Sequence, residues 1–419
     1  MISSDFNLGI WSVIFSLSIY VLFRKRTFGL FDPLTLFLIM RMGPMLAVLL
    51  YMLIYIQLTD FALLFLMSST LFVIALYWST PKINFIKTDC GVVARKFIFH
   101  VALFIFVAKI AIIISVTGSM PIFSEGGSDA YIQFDLDNKV GSALLLGLGV
   151  SDLLLFAFLL PMMKSRLDKF LIFPLFIASM LVGMSGGKKS SLLVVFAAIA
   201  LSEYLRLVFV SNQHGYFLTR MKIVFAIMAA ILWATWTYAE TTGASLEMPD
   251  WDIFFIAIDF VASQYTYPFL LFVTGELADF FRQYKVNNLT YFFHSILSPL
   301  GYPVFTASIG PSLGEFQSGL LTGHGTNPMF IIEGYVLFGW GLPIYSFCVG
   351  LVIGKMRGYM LKIKKLHYKI VLSALILPAI NALAIDGLLF AKMMIVIAAV
   401  FIVIKYIVEN LLGFYVQKT

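Results

Sequence analysis

The stretch Ser185-Gly186-Gly187-Lys188-Lys189-Ser190-Ser191 lies between two apolar runs. Two glycines let the backbone turn tightly. Two ammonium groups then precede a run long enough for a helix, whose first free N–H groups already favour an anion. Binding an anionic ligand is the chemistry this arrangement offers. The alternative is a loop whose lysines snorkel to lipid headgroups. Nucleotide binding through a P-loop is excluded, because counting from Gly183 puts Lys188 where the second glycine belongs.

A second candidate is His324, in Thr322-Gly323-His324-Gly325-Thr326-Asn327-Pro328. Flanking glycines allow close approach of a ligand, and an imidazole there can serve as general base or acid. Glu333 follows nine residues later and supports that reading over a merely solvated histidine. Asp386 and Lys392 bracket a short turn between the last two apolar runs, where they either act on a ligand or pair with each other. Arg282 and Lys285 can bind phosphates or lie on a solvated helix face. Arg41 and Lys109 lie within apolar runs and require partners, for which Asp152 is a candidate. No cluster has zinc-ligand spacing and no nucleophile elbow occurs.

These residues must be positioned by membrane helices. Hydrophobic residues make up 61% of the 419 and charged residues 12%, outside the soluble globular range. Apolar runs of about 20 residues, the length that crosses a bilayer core, recur along the chain. Eleven spans are predicted, at 6–23, 34–56, 61–79, 97–117, 141–162, 169–185, 191–210, 222–239, 328–354, 370–388 and 391–410. The first has no cleavage site after it and reads as a retained anchor. Cys90 and Cys348 sit near or within segments on opposite sides, so neither a disulfide nor a cysteine metal site is expected.

The basic connectors Arg24-Lys25-Arg26, Lys82 to Lys96, Lys164 to Lys169, Arg220 with Lys222, and Lys355 to Lys369 all fall on one side if the N-terminus is outside. With Arg206 and Lys418 they place 20 of the 29 Lys+Arg on the inner side. Six lie opposite (Lys139, Lys188, Lys189, Arg282, Lys285 and Lys392), and three lie within spans (Arg41, Lys109 and Lys405). This is the positive-inside asymmetry. It makes the lysine pair at 188–189 an exception that calls for a ligand. It also explains the +7 net charge without nucleic-acid binding. Two outer loops are long, 118–140 and 241–327. Within the second, 252–275 is interrupted by Asp259, Gln264 and Pro268 and reads as an interfacial or re-entrant helix.

In layout the chain resembles the Wzy-type O-antigen polymerases, a family that includes the enterobacterial common antigen polymerase. The matching pieces are Ser119 to Ser124 in the first outer loop, the Gly186-Gly187-Lys188 hairpin, and a long outer loop ending in His324-Gly325-x-x-Pro328. A glycine-rich span through Gly334, Gly339, Gly341 and Gly350 follows, then Asp386 and Lys392. Lysine stands at 188 and 392 where family members often carry arginine, which keeps the charge but loses the bidentate fork.

The resemblance implies a metal-independent, cofactor-free glycosyltransferase of GT-C-like all-α architecture in a bacterial inner membrane. The N-terminus would be periplasmic, the C-terminus cytoplasmic, and 241–327 a large periplasmic loop within a single transmembrane domain. Its substrates would be undecaprenyl-pyrophosphate-linked oligosaccharides, and a chain-length regulator its partner. The leaving pyrophosphate would meet Lys188 and Lys189, with Arg282, Lys285 or Lys392. The acceptor hydroxyl would lose its proton to His324, with the outer carboxylate Glu240 as second choice. An O-antigen ligase or a lipid-linked oligosaccharide flippase are the competing readings.

Overall fold

In hydrocarbon a backbone N–H or C=O finds no water, so an apolar chain satisfies its own backbone as helix. The computed structural model describes residues 8–55, 58–83, 90–117, 139–163, 165–184, 190–210, 269, 272–273, 275, 329–384 and 387–416. Among these residues every regular element is helical. Ten of the eleven predicted spans coincide with helices, and 222–239 lies outside the described residues. The helices are α1 (Leu8–Phe23), α2 (Pro33–Tyr55), α3 (Asp60–Ser79), α4 (Val92–Thr117), α5 (Lys139–Leu148) and α6 (Ser151–Leu159). After them come α7 (Arg166–Met184), α8 (Ser190–Phe209), α9 (Met329–Phe338), α10 (Leu342–Lys362), α11 (Leu366–Ala379) and α12 (Gly387–Val416). Six helical stretches among the described residues are long and apolar enough to cross a bilayer: α2, α3, α4, the run Met329–Lys362, Leu366–Leu383 and Gly387–Ile407. The chain is therefore a polytopic helical membrane protein.

Two predicted spans are broken. Residues 141–162 form two helices because Gly149 takes φ +49°, closing α5 with a bond from its N–H to the Leu145 carbonyl. Residues 328–354 are interrupted at Gly339–Gly341, where Gly339 takes φ +54°. Both positions need glycine's tolerance of the left-handed region.

The chain divides into two compact units. The first comprises 1–83, 238–359 and 380–392, and the second comprises 84–237, 360–379 and 393–419. In the first unit α10 lies against α3 along a stripe of small residues. A Cβ on Gly350 would come within 2.6 Å of the Phe72 carbonyl, and one on Gly354 within 2.7 Å of Ser79 Cβ. Small residues at four-residue spacing let the backbones approach, which is how membrane helices pack without a hydrophobic driving force. Helix α2 carries a π-helical turn at Leu38–Met42, and the Ile39 carbonyl there accepts from Ser16 of α1 at 2.7 Å. Buried Arg41 lies on the same turn.

One end of this unit gathers three connectors that the charge count assigns to one side. The Ile83 N–H donates to the Lys25 carbonyl, Arg26 donates to the Thr80 carbonyl, and Arg357 donates to the Arg26 carbonyl at 3.3 Å. In the second unit α6 is buried at every position from Ser151 to Leu159. It is apolar nearly all round, as a helix enclosed by others must be. Phe156 meets Phe99 and Phe106 edge-on, and Ser151 donates to the Ala374 carbonyl of α11.

Candidate functional site

Of the residues singled out by chemistry, Gly186, Gly187, Lys188, Lys189, Glu240, Arg282, Lys285, His324 and Asp386 lie outside the described residues. Their helical neighbours are described. Helix α7 ends at Met184 and α8 starts at Ser190, so the glycine–lysine stretch is the chain between two helices and directly precedes the second. Helix α9 starts at Met329, directly after Pro328, and α12 starts at Gly387, directly after Asp386. Three of the stretches singled out by their chemistry are thus followed at once by a helix N-terminus, the end that carries partial positive charge. Buried Met329 takes φ +60°, a left-handed conformation that non-glycine residues adopt at a cost of about 1 kcal/mol or more.

Glu333 and Lys392 are described, and both belong to the first unit. Glu333, on the second turn of α9, is fully buried. Its carboxylate accepts from the N–H of Gly387 and, at 3.1 Å, from the N–H of Leu388. It therefore caps the first turn of α12, a role a carboxylate fills at a helix start for both hydrogen-bond and dipole reasons.

Glycines make room for this contact. A Cβ on Gly387 would stand 3.0 Å from Glu333 Oε2 and 3.2 Å from Phe330 Cβ, and would collide with the Tyr345 hydroxyl. Tyr345 itself lies over Gly334, where a Cβ would come within 2.6 Å of its ring. The aromatic side chain from beyond the Gly339 break thus folds back across α9 and reaches the start of α12.

Lys392 corrects the expected turn. The predicted gap at 389–390 lies inside α12, which starts at Gly387, so Lys392 is the sixth residue of that helix and half-buried within its second turn. The segment Gly387-Leu388-Leu389-Phe390 is apolar and has no hydropathy minimum to mark the boundary.

The second unit satisfies a requirement that the sequence posed. Lys109 of α4 donates to Asp152 Oδ1 at 2.8 Å, and Ser179 of α7 donates to Oδ2 at 2.6 Å. All three are buried. Sequence reasoning proposed Asp152 as a partner and missed Ser179, whose only signal is a hydroxyl within an apolar run.

It also missed Asp32 and Arg357, which form a two-armed pair at 3.0 and 2.6 Å in the first unit. Asp32 further accepts from the N–H groups of Phe28 and Leu34 at 2.8 and 2.9 Å and caps α2 ahead of Pro33. Asp-Pro before an apolar run is a legible helix start, but Arg357 stood in the count only as one inner cation. No group of His, Cys, Asp and Glu able to hold a metal occurs among the described residues.

Comparison with protein-family profiles, with curated proteins and with solved structures finds no match. The structure defines a class, a multi-helical membrane protein with two compact units.

Proposed function

We propose that the chain polymerises lipid-linked oligosaccharide repeat units, as a metal-independent glycosyltransferase at the outer face of a bacterial inner membrane. The observation that carries this reading is the order of its chemistry-bearing stretches. A Gly-Gly-Lys-Lys stretch, a histidine loop and an acidic–basic pair follow one another in the order of the resembled family, and helix starts at Ser190, Met329 and Gly387 directly follow 189, 328 and 386.

In the reaction the acceptor hydroxyl of an incoming undecaprenyl-pyrophosphate-linked unit attacks the anomeric carbon of the growing glycan. The bond from that carbon to the donor pyrophosphate breaks, and undecaprenyl pyrophosphate leaves with the bonding electrons. The hydroxyl proton passes to a base, His324 or, failing it, Glu240. The departing charge is met by Lys188 and Lys189, with Lys392, Arg282 and Lys285 as further cations, because fixed cations aimed at developing charge lower the barrier most.

The test is the lipopolysaccharide ladder. Lys188→Ala and His324→Ala should each abolish the long-chain ladder while the protein stays at its normal level in the membrane. Normal ladders in both would refute the site. A deletion strain separates this reading from ligation: core capped by one repeat unit supports a polymerase, and bare core supports a ligase.

A further inference from the structure

In sequence Glu333 follows His324 by nine residues, and in the fold its carboxylate reaches the start of α12. We infer that it is a positioning residue for Lys392, acting through that helix start. This inference rests on the polymerase reading only for the use to which Lys392 is put.

The geometry is specific. A helix leaves its first N–H groups without intrahelical acceptors. At α12 two of them, from Gly387 and Leu388, are taken by one buried carboxylate 54 and 55 residues away in the chain. A cap from a distant helix fixes the first turn of α12 to α9, and Lys392 sits one turn further along the same helix. Glycine at 387 is required for the fit, since a Cβ would stand 3.0 Å from Glu333 Oε2 and strike the Tyr345 hydroxyl. The anion-favouring end of α12 is thereby occupied internally. Lys392, half-buried on the next turn, is held at a fixed place relative to α9.

The experiment uses the purified full-length chain in detergent, with Cys90 and Cys348 replaced by serine and a single new cysteine introduced as Lys392→Cys. Its rate of reaction with a maleimide reports the local opening of the first two turns. Glu333→Ala should raise that rate about fivefold, the size expected when a helix cap is lost, and Gly387→Ala should raise it similarly from the other side of the contact. Glu333→Gln keeps an acceptor oxygen and should restore the rate to within about twofold of the parent. A cysteine at exposed Lys355 on α10 serves as control and should be unaffected.

Unchanged rates at 392 in both variants would overturn the inference. So would a parallel rise at 355, which marks global loosening, or failure of both variants to accumulate, which would assign the contact to folding. The ladder of the Glu333 variants with Lys392 intact is read separately. A raised rate with a normal ladder upholds the positioning and counts against Lys392 in the reaction.

Discussion

Each unit buries a carboxylate against a cation from a different helix, and the two pairs are built in different ways. In the first, Asp32 accepts both guanidinium arms of Arg357 and also the backbone N–H groups of Phe28 and Leu34. In the second, Asp152 accepts only from side chains, Lys109 Nζ and Ser179 Oγ, among the hydrogen bonds described for it. Both pairs are buried, and a buried pair is poor evidence for net stability because desolvation offsets the attraction. The difference lies in what remains when the charges are removed. Without Asp32, two backbone donors at a helix start lose their acceptor, and no apolar side chain replaces it. Without Asp152 and Lys109 together, only a serine hydroxyl is left, and it can bond back to its own helix.

The largest effect therefore belongs to Asp32. Asp32→Ala should destabilise the protein by about 3–5 kcal/mol for the orphaned buried guanidinium, with about 1 kcal/mol more for the lost cap. The double change with Arg357→Met should recover the first part and not the second. Thermal unfolding in detergent and the amount of protein in the membrane measure both. Full recovery in the double variant would show that the cap contributes nothing and would erase the contrast with the second unit.

Breaking the other pair should be nearly as costly one residue at a time and close to harmless when both change. Lys109→Met or Asp152→Leu alone leaves an unpaired buried charge, with an expected loss of about 3–5 kcal/mol. The two together should lie within about 1 kcal/mol of the parent, since an apolar pair of similar volume needs no desolvation. A double variant as unstable as the singles would show that the charges have a role the described contacts do not contain.

How much of this was legible follows from what each feature depends on. Helices were legible because a run of apolar residues has few alternatives in a membrane, and ten predicted segments are helical. The breaks at Gly149 and Gly339 were not, because averaged hydropathy is blind to one backbone angle. Lys109 announced a need for a partner, and Asp152 was among few candidates. Arg357 and Asp32 stand 325 residues apart, and each had an innocent local explanation, as a loop cation and a helix cap. Glu333 drew notice for its nearness to His324 along the chain, and its bonds to Gly387 and Leu388 were not legible because they join residues 54 and 55 positions apart.

The smallest effect sharpens the same contrast. Ser179 donates one bond to Asp152, so Ser179→Ala removes a charge-assisted contact and leaves the Lys109 pair in place. In water such a bond contributes more, but a serine hydroxyl on an unassembled membrane helix can bond to a carbonyl one turn back, which lowers the net gain. The net loss should be about 0.6 kcal/mol, the average for side-chain bonds between membrane helices. The informative comparison is the same substitution in the Lys109→Met, Asp152→Leu background. There the hydroxyl has lost its partner, so removing it should cost nothing or stabilise slightly. A loss of equal size in both backgrounds, read by thermal unfolding, would mean that Ser179 acts by packing alone. Asp152 would then depend on Lys109 alone, unlike Asp32, whose further bonds fix a helix start.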